Sequence, residues 1–121
     1  MHSNLNWYAG WTAILLGFAV GAATGLFFHR DDFWGGYASW RRRLTRLGHV
    51  AMIALGMLNV LYSVAPAASS VAGPTLLAGT IAMPAVCFLS AWRKSFRYLF
   101  FIPVGLLGLA VVLTILSGPH P

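Results

Sequence analysis

The chain has 121 residues, of which 59% are hydrophobic and 8% charged; eight basic and two acidic residues give a net charge of +6. Soluble domains carry about 25% charged residues, so this composition cannot coat a water-soluble globule. It points to one integral membrane domain, residues 1–121, with length for about four spans.

Nucleic acid is not the expected partner of the positive charge. All eight basic residues fall in two short segments at the edges of apolar runs, as topology determinants do. The single cysteine, Cys87, excludes an intrachain disulfide.

The opening stretch MHSNLNWYAG has no positive charge ahead of the first apolar run, and that run is long for the core of a signal peptide. It reads as a retained span over about residues 8–28. Within it, GFAVGAATG repeats a glycine every fourth residue, at Gly17, Gly21 and Gly25. In lipid, helices associate by close van der Waals packing, so this stripe is the expected contact with a neighbouring helix of the same bundle, with contact to another protein as the alternative.

The connection from His29 to Arg46 holds five arginines and both carboxylates, Asp31 and Asp32. Phe33, Tyr37 and Trp40 recur there at helical spacing, which suggests an interfacial helix, while the Gly35–Gly36 pair works against one. Arg41, Arg42, Arg43 and Arg46, behind these aromatics, are expected to bind an anionic leaflet.

The second span, about residues 47–64, places His49, Met52, Gly56, Asn59 and Ser63 on one face, at steps of three and four. Such a face seeks the bundle interior. Asn59 is expected to hydrogen-bond across helices, at about 0.6 to 2 kcal/mol.

An uncharged connection, APAASSVAGP, leads to the third span, about residues 71–92. Pro84 removes a backbone donor and predicts a kink near Thr80, whose hydroxyl could satisfy the freed carbonyl. Met83 and Cys87 lie four apart on one face. Arg93, Lys94 and Arg97 form the second basic segment, again expected to meet anionic headgroups. The fourth span, about residues 99–116, contains Pro103, Gly105 and Gly108.

The positive-inside rule puts both basic segments in the cytoplasm and both termini outside. In a bacterial inner membrane the termini are then periplasmic. Trp7, Tyr8, Trp11, Tyr62, Trp92 and Tyr98 near the span ends fit the headgroup level.

For chemistry, His49, Met52, Met83 and Cys87 make a soft ligand set suited to Cu(I) or haem iron, and His29 could approach a haem from a second helix. Ordinary packing accounts for the same residues: Met fills gaps, a free Cys behaves as a small hydrophobe, and a lone His can donate to a carbonyl. No cofactor is therefore expected, with haem b or Cu(I) as the alternative.

No carboxylate lies in a span, and no phosphate-binding glycine loop, carboxylate pair or activated nucleophile is evident. The expectation is an all-α, four-helix transmembrane bundle with both termini outside. It would serve as a non-catalytic accessory subunit of a larger membrane assembly, such as an electron-transfer complex. Its partners would be anionic lipids and other membrane-protein subunits. The alternatives are a redox protein built on His49 and a small homo-oligomeric channel lined by Asn59 and Ser63.

Overall fold

The computed structural model describes residues 2–27, 29–32, 35–36, 38–66 and 68–118. Every described element is helical: α1 (His2–Gly25), α2 (Trp40–Val64), α3 (Ala72–Trp92), a 3₁₀ segment (Lys94–Phe100) and α4 (Phe101–Ser117). All four long helices are long and apolar enough to cross a membrane, the 3₁₀ segment running straight into α4 to complete the last.

The local reasons for these boundaries are partly polar. Helix α2 begins at Trp40, seven residues before the expected span, because the Ser39 hydroxyl caps it by accepting the Arg42 N–H at 3.2 Å. Arginine is a good helix former, so Arg41, Arg42, Arg43 and Arg46 belong to the first two turns of α2 rather than to a loop. Helix α3 runs on through Pro84, and α4 admits Pro103 in its first turn, where a missing N–H costs little. Gly118, with φ +68°, ends α4. Phe33 and Tyr37, on which an interfacial helix was expected, lie outside the described residues; Gly35 and Gly36 between them have φ values of +84° and +98°, which an ordinary helix does not continue through.

The helices run up and down in chain order. Gly10 and Gly56 bring α1 and α2 into backbone contact: a Cβ on Gly56 would lie 2.7 Å from the Gly10 carbonyl oxygen. Gly17 faces Ile53 and Gly21 faces His49 along the same seam, whereas Gly25, expected to join them, meets nothing within 4 Å among the described residues. The contact ends before the last turn of α1. On the other side of α2, Gly48 packs on Cys87 and Phe88 of α3, and Tyr62 packs on Gly73. Helix α4 rests on α3 through Leu107 against Gly79, and Ala110 joins Tyr62, Ala72 and Leu76 in a small apolar cluster. Helices α1 and α4 do not pack on each other, so the bundle is open along one side.

Its polarity is inverted. The largest fully buried side chains are Asn6, Asn59, Pro103, Cys87 and Ser90, while Ile81, Phe101, Ile115 and Leu116 are each more than 70% exposed. The hydroxyls of Thr24, Thr45, Thr75, Thr114 and Ser117 fold back onto carbonyls four residues earlier in the chain, at 2.7–2.8 Å.

Candidate functional site

Polar side chains gather at two levels. At the end of the bundle where α1 begins, Asn6 of α1 donates from Nδ2 to Asn59 Oδ1 of α2 at 2.7 Å, and Asn59 Nδ2 donates to Thr80 Oγ1 of α3 at 2.6 Å. Asn59 Nδ2 also reaches the Leu55 carbonyl at 2.8 Å, and Asn6 Nδ2 lies 3.4 Å from that of Gly73. Asn6 and Asn59 have no exposed surface. This cluster ties three helices together.

The cluster extends the reading of Asn59 and corrects that of Thr80. The Thr80 hydroxyl donates to Leu76 at 2.7 Å and accepts from Asn59, so it is committed one turn below the carbonyl freed by Pro84. Ser63 turns away onto its own helix, donating to Val60 at 2.6 Å. Asn6 was missed. It stands four residues before Gly10 and eleven before Gly17, which places it on the face of α1 that meets α2. Extending the glycine stripe backwards, rather than forwards to Gly25, leads to it.

His49 and Cys87 face different neighbours. His49 lies on Gly21 of α1, whereas Cys87 lies against Gly48 on the α3 side; adjacent residues of a helix point about 100° apart, so these belong to different seams. Met52 and Met83 are half-buried. His29 is exposed, with a ring nitrogen 2.8 Å from the Leu26 carbonyl. Among the described residues, no three His, Cys, Asp or Glu side chains are grouped as a metal ion requires.

At the opposite end the two basic segments meet. Trp40 Nε1 donates to the Ser90 carbonyl at 2.8 Å, pinning the start of α2 to the end of α3. Lys94 Nζ lies 5.9 Å from the Trp40 ring centroid and the Arg93 guanidinium 5.4 Å from that of Trp92. Arg97 donates to the Tyr98 hydroxyl at 2.8 Å and to the Lys94 carbonyl at 3.2 Å. Arg41 and Arg43 are exposed, and Arg46 lines a notch with His49, Gly21 and Gly25. Arg42 is placed differently. It is 4% exposed and donates from Nη1 to the Arg30 carbonyl at 3.3 Å, so it braces the preceding turn rather than presenting its charge outward.

Compared with known proteins, the chain matches no family model, no curated protein and no solved structure.

Proposed function

We propose that the chain is a four-span inner-membrane protein, termini outside and basic end in the cytoplasm, acting as a non-catalytic accessory subunit of a larger membrane assembly. The inverted polarity supports the membrane setting. In water, the buried amides of Asn6 and Asn59 beneath a surface of exposed Ile, Leu and Phe would be unfavourable on both counts; against hydrocarbon, both placements are favourable. The basic end, where Arg41, Arg43, Arg93, Lys94 and Arg97 are all exposed, supports the orientation.

The open side of the bundle carries the subunit reading. The side chains of Asn6, Asn59 and Thr80 on the first three helices are bound to one another, while α4 rests on α3 and leaves Gly105 and Gly108 with no neighbour within 4 Å among the described residues. Close approach by another helix is sterically free there. The test is the native mass of the protein gently solubilised from its own membrane, read against the 13.1 kDa chain. Co-purifying polypeptides in fixed ratio are expected; a lone chain, or a homo-oligomer of it, would refute the subunit reading.

A further inference from the structure

We propose that the basic end contains a discrete binding site for one anionic phospholipid, its phosphate held between the start of α2 and the end of α3. The proposal rests on the membrane setting inferred above, but not on the subunit role. A cleft of about 360 Å³ is lined by Ser39, Trp40 and Arg41 on one side and by Ala91, Trp92 and Lys94 on the other. Small-ligand sites span about 300–1,000 Å³, so a headgroup has room.

The chemistry of the lining selects an anion. Each basic segment contributes one cation, Arg41 or Lys94, and neither Asp31 nor Asp32 lines the space. The two walls are also fixed relative to each other: Trp40 is held by its hydrogen bond to Ser90, and Lys94 reaches back over the Trp40 ring. The first turn of α2 is part of the same lining, adding the positive end of a 25-residue helix. Guanidinium and ammonium together suit a phosphodiester, the first through its donor fork and the second as a point charge.

A second cavity identifies the anion as a lipid rather than a free phosphate. Ala91 and Trp92 also line an apolar groove of about 380 Å³, which continues past Phe88 and Thr45 to Val20 and Thr24 of α1. Head cleft and groove thus share a wall. The charged part lies where two tryptophans mark the headgroup level, and the apolar part follows the helices away from it, in the order of a phospholipid's own segments.

The test is native mass spectrometry of the purified full chain after exchange into phosphatidylglycerol, phosphatidylcholine or an equimolar mixture. One tightly retained phosphatidylglycerol is expected. Replacing both lining cations (Arg41→Gln with Lys94→Gln) should weaken retention roughly 100-fold, on the basis of about tenfold per charge-assisted hydrogen bond lost from the phosphate. Arg43→Gln with Arg97→Gln removes the same charge outside the lining and should change retention less than threefold. Val20→Trp, which fills the groove and leaves the charge intact, should abolish retention.

Equal losses from the two charge pairs, or equal retention of phosphatidylcholine, would overturn the site. Displacement by inorganic phosphate alone would overturn its assignment to lipid. Alkaline carbonate extraction of the source membranes separates the failures: release of the chain refutes the membrane setting itself, whereas equal losses in a carbonate-resistant chain refute only the cleft.

Discussion

The seam between α1 and α2 and the seam between α3 and α4 are built on different principles. In the first, two backbones touch at Gly10 and Gly56, and the amides of Asn6 and Asn59 join directly. In the second, a leucine, Leu107, fills the space over Gly79, and Gly105 and Gly108 of α4 meet nothing within 4 Å among the described residues. The first seam adds to its side-chain contacts at Gly17 and Gly21 a backbone contact that admits one geometry; in the second the nearest contact is made by a side chain that can adjust. A glycine therefore means opposite things in the two places, although the sequence writes it the same way.

Substitutions can separate these principles, and unfolding of the purified protein by titration with a denaturing detergent measures each. The largest effect is expected for Gly56→Val, whose Cβ would lie 2.7 Å from the Gly10 carbonyl and 2.8 Å from an Ile14 methylene. Backbone cannot rotate away, so the helices must part, at about 3 kcal/mol. An unchanged midpoint would show that the two backbones do not touch.

Asn59→Leu should follow, at about 2 kcal/mol, since it removes two interhelical bonds and leaves the buried Asn6 amide without its best acceptor. Adding Asn6→Leu to it should cost less than the sum of the single changes, because the two amides share a bond. Strict additivity would dissolve the cluster as a unit. Gly79→Ala should cost about 1 kcal/mol, because the nearest atoms in its way, Leu107 Cδ2 and Cγ at 2.5 and 2.6 Å, belong to a side chain that can shift, while the Leu107 backbone nitrogen stands further off at 3.3 Å. A cost equal to that of Gly56→Val would erase the contrast between the seams. Gly108→Ala should stabilise α4 by up to about 1 kcal/mol, the helix preference of alanine over glycine. Any destabilisation in the isolated chain would mean that a neighbour already occupies that face.

The four helices were legible because each is a long apolar run, and run length is a one-dimensional property. Their starts were less so. Hydropathy rejects arginine, but a helix does not, and with Ser39 capping it α2 extends through the whole arginine cluster. The candidate site was legible by halves. Asn59 stood out as an amide in the middle of a span, while Asn6 lay among polar residues at the chain's start, where an amide needs no explanation. What distinguishes Asn6 is its partner 53 residues away, and that pairing follows from the register at which Gly10 meets Gly56. The same register explains Gly25: the seam closes with His49 on Gly21, and the stripe continues beyond the contact. His49 and Cys87 share a depth by residue counting, yet the adjacent position, Gly48, is the one that turns toward α3.

Among the described residues α1 and α4 do not pack on each other; each helix lies chiefly against the one made just before it, with smaller contacts where α3 reaches α1 and where Ala110 of α4 joins the cluster of Tyr62 on α2. From α2 onwards, each newly made helix therefore finds its main packing surface already synthesised. The chain can assemble in the order of its translation, without holding an early helix unpartnered until a late one arrives. By the time Thr80 has emerged, the whole amide cluster is present, and α4 joins a unit whose interior is already complete.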